Sequence, residues 1–275
     1  PNLKSLSEAT EEDILALWTG LGFYRRAKNI FKTKEILKKD FKNIFPKTLE
    51  NIVSLPGIGE STAGAIMSIA YKRPFPILDA NVKRTLSRFE LIKNDSTTKS
   101  NKVLWEFSRI HTPKEKIFEY TQGIMDMGAT VCTPLAPSCD ICPANKLCKS
   151  AFSVLKQETK KKKINPTKKI NFVLAVNENA FLLFKKSEKT FWESLWVPYE
   201  LEAKNRLPWS HSFNNKEELN HKHKLSHLDL DLNIQILHYD KKFKFKSNKE
   251  YKWIHISDID KFGLPKPIKS IMDRL

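Results

Sequence analysis

The sequence predicts a mainly α-helical domain followed by a smaller α+β domain. The length of 275 residues suits about two domains. Through residues 1–150, apolar residues recur at helical spacing between glycines and prolines. Beyond a lysine-rich stretch the apolar period shortens toward two, which is typical of strands.

The first domain is predicted over residues 1–152. Thr10 with Asp13 forms a capping-box pattern before an amphipathic helix, and Thr48 can cap a short helix. Further helices are predicted at residues 24–39, 61–70, from 81 onward, around 105 and at 118–127.

The second domain is predicted over residues 170–275, after a basic linker at 153–169 that has almost nothing to bury. Residues 177–180 predict a hairpin turn. Strands are expected at residues 171–176, 181–184 and 228–237.

The charge balance favours a polyanionic partner. Lys and Arg number 48 against 31 Asp and Glu, a net charge of +17. Nucleic acid is favoured over an anionic membrane because no amphipathic anchor stands out. A lysine-rich coding bias is the alternative explanation.

The sequence shows no pattern typical of a membrane-spanning segment or of a secretory signal. The longest small and apolar stretch, residues 63–71, is too short to span a bilayer. The N-terminus has no apolar signal core, and Pro1 is not an initiator residue. We therefore expect no membrane partner, and a chain that is a fragment or has been processed.

The four cysteines are the sharpest chemical signal. Cys132, Cys139, Cys142 and Cys148 are spaced C-x6-C-x2-C-x5-C in one proline-rich segment. This clustering is unlike a disulfide framework, and four thiolates can converge on zinc or on an iron–sulfur cluster. The single C-x2-C pair favours iron–sulfur but leaves zinc open.

Two further motifs point to nucleic acid. Residues 55–59, Leu-Pro-Gly-Ile-Gly, predict a helix–hairpin–helix whose backbone N–H groups bind phosphate without regard to sequence. An ordinary glycine-rich turn is the alternative. Asp79 precedes a predicted helix and, taken alone, is expected to be its N-cap.

Together these segments resemble the HhH-GPD superfamily of DNA glycosylases, and within it the branch that removes adenine mispaired with 8-oxoguanine. Apart from the cysteines, the matching segments are residues 17–24, 55–64, 76–84 and 125–129. The resemblance implies a 4Fe–4S cluster held by the four cysteines. It also implies a monomer in the bacterial cytoplasm, associated with the nucleoid, acting on double-stranded DNA with adenine opposite 8-oxoguanine or guanine.

The resemblance assigns catalytic roles to Asp79 and Asn81. Asp79 would stabilise the oxocarbenium-like sugar, and Asn81 would hold the carboxylate and the sugar in place. Ser61 stands where strand-cleaving members have a lysine, so a monofunctional enzyme is implied. Ala80 replaces the usual glycine. The DNA-binding residues implied are Leu55, Gly57, Ile58, Gly59, Ser61 and Lys83.

Lesion recognition is expected from two places. Leu21 and Phe23 match positions that wedge beside 8-oxoguanine, with Phe23 in place of the usual tyrosine. In the second domain, which resembles the MutT-related Nudix fold without its Glu-rich metal signature, Ser226 and His227 match a lesion-sensing loop. We expect His221 and His223 to be solvated loop residues.

Two alternatives remain open. One is an endonuclease III-like glycosylase/lyase acting on oxidised pyrimidines, and the other is a non-catalytic iron–sulfur protein that binds lesions. The general acid of the family is a glutamate in a segment ending Gln-Gln-Thr, which this chain lacks. We therefore name no acid and expect this chain by itself to be nearly inactive.

Overall fold

The computed structural model describes residues 2–93, 97–153, 165–187, 191–201, 206–209, 212–240, 243 and 245–275. The chain forms two compact units. We call Ile36–Lys162 the helical unit, and Pro1–Glu35 together with Lys163–Leu275 the sheet unit. Most of the predicted linker lies outside the described residues.

Three helices in the described ranges begin at predicted capping residues. Thr10 and Asp13 form a complete capping box, and Thr48 and Asp79 each cap the helix that follows. The helices are α1 (Leu3–Glu8), α2 (Glu11–Leu17), α3 (Arg25–Asp40), α4 (Leu49–Val53), α5 (Glu60–Ala70), α6 (Ala80–Phe89), α7 (Thr98–His111), α8 (Ile117–Asp126) and α9 (Lys266–Met272).

The helical unit has two small cores. One is formed by α6, α7 and α8 with the residues before α6, and includes Val82, Leu104 and Ile124. The other lies under α4 and α5 and includes Ile52 and Met67. A π-helix over Met127–Val131 extends α8 into the cysteine loop.

The sheet unit contains a seven-stranded mixed sheet in which five strands run in the order β3-β2-β1-β6-β5. β1 and β2 form the predicted hairpin, with Asn177 opposite Ala180, and β1 is parallel to β6. The strands are β1 (Thr167–Asn177), β2 (Ala180–Lys185), β3 (Trp196–Val197), β4 (Tyr199–Glu200), β5 (Asn215–Lys224), β6 (Asp229–Tyr239) and β7 (Tyr251–His255).

The N-terminal segment, Pro1–Glu35, belongs to the sheet unit. Ile14 and Leu15 of α2 are buried in one cluster with Leu195. The indole Nε1 of Trp196 donates to Glu12 Oε1 at 2.6 Å. The apolar face of α2 is therefore covered by residues of the sheet unit, a partner that helical periodicity does not specify.

None of the helices in the described ranges has the length and apolar character that crossing a bilayer requires.

Candidate active site

The loop between α4 and α5 is a tight turn closed by its own backbone. The N–H of Ile58 donates to the carbonyl of Leu55 at 3.1 Å, and Gly57 has a φ of +80°. Gly59 is the N-cap of α5 and offers no side-chain oxygen, so no side chain caps the first turn there. Such uncapped N–H groups at a helix N-terminus favour an anion.

Leu55 is buried within this motif, at 2% exposure. What it contributes is the carbonyl that closes the turn and an apolar anchor beneath it.

A row of small residues on α5 holds the segment 75–78 that leads to Asp79. Ser61 Oγ accepts a hydrogen bond from the N–H of Leu78 at 2.9 Å, and Ser68 Oγ donates to the first carbonyl of the segment at 3.0 Å. Between them, a Cβ at Gly64 would lie 2.3 Å from the next carbonyl oxygen. The segment is therefore fixed in close contact with the helix.

A second helix, α7, also fixes the segment 75–78. Ser108 is buried, and its Oγ donates to the carbonyl of Ile77 at 2.8 Å. Neither Ser68 nor Ser108 was singled out from the sequence. Their only signal is a small polar residue at a helical core position.

Asp79 is both a helix cap and an oriented carboxylate. Its Oδ1 accepts from the N–H groups of Asn81 and Val82, each at 2.8 Å. Among the described residues, no donor reaches Oδ2. Capping thus orients the half-buried carboxylate and leaves one oxygen available for a developing positive charge.

Asn81 is held from two sides. Its Oδ1 accepts a hydrogen bond from Arg84 Nη2 at 2.9 Å. On the other side Gly128 packs so closely that a Cβ on it would lie 2.8 Å from Asn81 Cβ. Arg84 also donates to the carbonyls of Gly128 and Cys132. The Asn81 side chain is therefore fixed by Arg84, the same arginine that contacts the cysteine loop.

Arg88, one turn further along α6, anchors that loop directly. Arg88 is 8% exposed, and its guanidinium donates to the carbonyls of Thr133 at 2.7 Å and Pro134 at 2.8 Å. It also lies 3.4 Å from Cys132 Sγ. One helix thus contacts the candidate catalytic residues at its start and the cysteine loop at its end.

The four cysteines surround one cavity of about 460 Å³. All four thiols are free and half-buried. In the described ranges, no three His, Cys, Asp or Glu side chains are grouped closely enough to hold a single ion. Four thiolates that line one cavity form a donor set that both zinc and iron–sulfur clusters accept.

The two predicted lesion-wedging residues lie in the sheet unit, on residues 18–24, which we call the wedge loop. Leu21 is 62% exposed and Phe23 is 73% exposed. Trp18 Nε1 donates to the carbonyl of Gly22 at 2.9 Å, and the Arg26 guanidinium lies 5.4 Å from the Phe23 ring. The loop therefore presents two large apolar side chains to solvent.

The predicted lesion-sensing loop lies between β5 and β6. Ser226 and His227 are exposed, and the N–H of Leu225 closes the turn by donating to the carbonyl of Leu228 at 2.8 Å. Ser226 Oγ lies 3.3 Å from His227 Nδ1. Both polar side chains are available to a ligand.

His221 and His223 are not loop residues, which corrects the expectation. Both are half-buried on β5, with stacked rings whose centroids lie 6.3 Å apart. Burial lowers the pKa of His223, and Coulombic repulsion from His221 and Lys266 lowers it further.

The predicted residues thus fall into two groups. The helical unit contains Asp79, Asn81, Ser61, Lys83, the hairpin and the four cysteines, whereas the sheet unit contains Leu21, Phe23, Ser226 and His227.

Comparisons with known proteins match two families, one in each half of the chain, and the first match includes residues 1–35 of the sheet unit. Residues 1–109 match the model for HhH-GPD superfamily base excision DNA repair proteins, and residues 171–274 match the NUDIX domain. Among solved structures, a thermostable thymine-DNA glycosylase gives a TM-score of 0.48 at 26% identity, covering 54% of this chain and 68% of that chain.

Similarity to curated proteins extends much further along the chain. The adenine DNA glycosylase of Buchnera aphidicola subsp. Acyrthosiphon pisum (strain APS) is 38% identical over 99% of this chain and 81% of its own. The adenine DNA glycosylase of Homo sapiens is 34% identical over 58% of this chain and 29% of its own. This protein accordingly belongs to the adenine DNA glycosylase family, base-excision-repair enzymes that hydrolyse N-glycosyl bonds.

Proposed function

We propose that the protein removes adenine mispaired with 8-oxoguanine or guanine in double-stranded DNA. The observation that supports this most directly is Asp79, whose one oxygen is bound by two N–H groups while no described donor reaches the other. A fixed carboxylate stabilises an oxocarbenium-like sugar without having to reorganise during bond cleavage. Adenine must first be flipped out of the stack to reach it.

The same site supports hydrolysis without strand cleavage. Ser61 occupies the position from which a lysine would attack the sugar, and a hydroxyl cannot form a Schiff base. Its oxygen already accepts the N–H of Leu78, so it positions the backbone before Asp79. This favours a monofunctional glycosylase over the glycosylase/lyase alternative.

The cysteine cavity is proposed to hold a 4Fe–4S cluster through Cys132, Cys139, Cys142 and Cys148. Such a cluster, when bound, supplies a centre with four thiolate bonds whose reduction potential depends on its surroundings. Arg88 would contribute a buried positive charge and a hydrogen bond toward Cys132 Sγ. A colourless protein containing zinc would contradict this assignment.

DNA contacts are proposed at both units. The hairpin N–H groups and Lys83 would bind phosphates, consistent with the net charge of +17. Leu21, Phe23, Ser226 and His227 would contact 8-oxoguanine. We infer a monomer that works in the bacterial cytoplasm at the nucleoid.

The role of Asp79 is tested by binding, which needs no general acid. A duplex with a cationic pyrrolidine nucleotide opposite 8-oxoguanine mimics the charged sugar, and a neutral tetrahydrofuran analogue is the reference. Asp79→Asn keeps the helix cap, because Asn and Asp cap equally well. We expect wild type to prefer the cationic duplex, and the variant to lose roughly tenfold or more of that preference.

Asp126→Asn is the matched control, since Asp126 is an exposed carboxylate in the same unit. An unchanged preference in the Asp79 variant would remove the proposed electrostatic role. Borohydride trapping of a covalent adduct on oxidised-pyrimidine DNA would instead support the glycosylase/lyase alternative.

A further inference from the structure

The wedge loop has a strained backbone. Gly20 and Gly22 have φ values of +87° and +69°, and Phe23, which has a side chain, has a φ of +49°. Bulky residues rarely adopt this left-handed region, and such a conformation persists only where the surroundings impose it. The conformation of the wedge loop therefore depends on the contacts that surround it.

Both ends of the loop are bound to one residue of the C-terminal domain. The hydroxyl of Tyr24 donates to the carbonyl of Leu264 at 2.5 Å, and the N–H of Leu264 donates to Thr19 Oγ1 at 3.1 Å. Tyr24 Oη also accepts from the N–H of Gly20 at 3.3 Å, inside the loop. Burial raises the pKa of Tyr24, so its hydroxyl remains a donor at neutral pH.

The partner segment, residues 262–264, is itself immobilised, and we call it the clamp segment. Leu264 is fully buried in the core beneath the sheet. The carbonyl of Gly263 accepts from the N–H of Trp196 at 2.9 Å, and a Cβ at Gly263 would lie 2.7 Å from Leu15 Cβ. The clamp segment thus binds the wedge loop through two hydrogen bonds, one to Thr19 and one to Tyr24.

We propose that Thr19 and Tyr24 are positioning residues through which the clamp segment holds Leu21 and Phe23 in the geometry that recognises 8-oxoguanine. The inference rests on the proposed function, because it takes these two side chains to contact the lesion. It gives the C-terminal domain a second part in recognition, in addition to the exposed Ser226–His227 loop.

The test measures binding to two duplexes, with 8-oxoguanine or guanine opposite a tetrahydrofuran abasic site. The ratio of the two dissociation constants is the lesion preference of the holoprotein. Tyr24→Phe and Thr19→Val each remove one hydroxyl and keep the shape of the side chain. We expect each variant to lower the lesion preference about three- to tenfold, because this is the fold-change that corresponds to the loss of one hydrogen bond.

Tyr199→Phe is the matched control. Its hydroxyl also donates to a backbone carbonyl in the same unit, that of Arg206 at 3.2 Å, but outside the wedge loop and the clamp segment. We expect its lesion preference to equal that of wild type. A fall as large as that of Tyr24→Phe would overturn the proposal, since the effect would then follow from removing any such hydroxyl.

A double-mutant cycle with Phe23→Ala separates this inference from the function on which it rests. If Phe23→Ala leaves the preference unchanged, the proposed wedge role is wrong. If Phe23→Ala lowers it but Tyr24→Phe and Thr19→Val do not, the clamp is wrong. If the clamp acts through Phe23, Tyr24→Phe has little further effect in the Phe23→Ala background, whereas additive effects overturn it.

A spectroscopic measurement at saturating protein excludes a general loss of affinity. With 2-aminopurine beside 8-oxoguanine, wedging should unstack the probe and raise its fluorescence. We expect a smaller rise for Tyr24→Phe than for wild type or Tyr199→Phe, even with all duplex bound. An equal rise would contradict a positioning role.

Discussion

The hairpin loop at residues 55–59 and the wedge loop at 18–24 both contain two glycines, but they are stabilised in different ways. The hairpin closes through its own Leu55 carbonyl, with only Gly57 in the left-handed region. The wedge loop has three residues in the left-handed region, Gly20, Gly22 and Phe23. It is also hydrogen-bonded, through Tyr24, to Leu264, which lies 240 positions further along the chain.

The difference corresponds to what each loop is proposed to bind. A phosphate is contacted by backbone N–H groups, so a hairpin that fixes its own backbone is sufficient. Recognition of a damaged base depends on the direction of two side chains, and a short loop holds such directions only when other parts of the fold support it. The wedge loop therefore needs tertiary contacts that the hairpin does not.

The largest effect is expected behind the hairpin, at Gly64→Ala. The added Cβ would lie 2.3 Å from a backbone oxygen of the segment that leads to Asp79, so the backbone must move. We expect unfolding in urea to show a loss of about 3 kcal/mol. Hydrogen exchange should rise in residues 75–78.

Gly59→Ala is the control for that variant, because nothing lies within 4 Å of its added Cβ. Its expected cost is about 0.5 kcal/mol, as for a changed helix cap. Equal losses in the two variants would show that close packing at Gly64 is not what fixes the segment.

Gly263→Ala should have a smaller effect, on the wedge side. Its Cβ would lie 2.7 Å from Leu15 Cβ, which moves only together with the α2 backbone, but this overlap is smaller than the one at Gly64, where the distance is 2.3 Å. We expect the free energy of unfolding to fall by about 1–2 kcal/mol. The lesion preference should fall as well, whereas a stable variant with full preference would contradict the coupling of the clamp segment to the wedge loop.

Gly57→Ala and Gly22→Ala compare the loops directly, since both glycines have positive φ. Each substitution should cost about 1 kcal/mol of backbone strain. With about five phosphates neutralised, log K should fall with log salt at a slope of about −4.5 in wild type, and Gly57→Ala should make that slope shallower. Gly22→Ala should leave the salt slope unchanged and lower the lesion preference. If the two variants changed the slope and the lesion preference alike, the proposed difference between the hairpin and the wedge loop would be wrong.

The smallest effect is a pH dependence of the sheet unit. Burial lowers the pKa of His223 below its ordinary value of 6.5. Below that pH the unfolded chain takes up a proton that the folded unit resists, so stability is fully present above pH 6.5 and falls as the pH drops. Urea midpoints measured from pH 7.5 to 5.5 should decline less for His223→Gln than for wild type.

His227→Gln provides the comparison, because His227 is exposed and is expected to leave the decline unchanged. A wild-type decline as shallow as that of His223→Gln would mean that this histidine does not set the pH dependence.

Local features were predictable from the sequence because each depends on neighbours along the chain. Thr48 caps α4, Asp79 caps α6, and residues 55–59 form the turn between two helices. The four cysteines of one short segment also line one cavity. Hydrogen bonds over two or three residues, and the proximity of residues within one loop, are set by local geometry.

What only the tertiary structure decided are the partners of surfaces that the sequence left open. The apolar face of α2 was evident, but its burial against Leu195 in the sheet unit was not. Ser108, Thr19 and Tyr24 look like ordinary polar residues until the backbone groups they bind, far along the chain, come within reach. Helical periodicity specifies that a face must be covered, whereas the choice of partner depends on the packing of the whole domain.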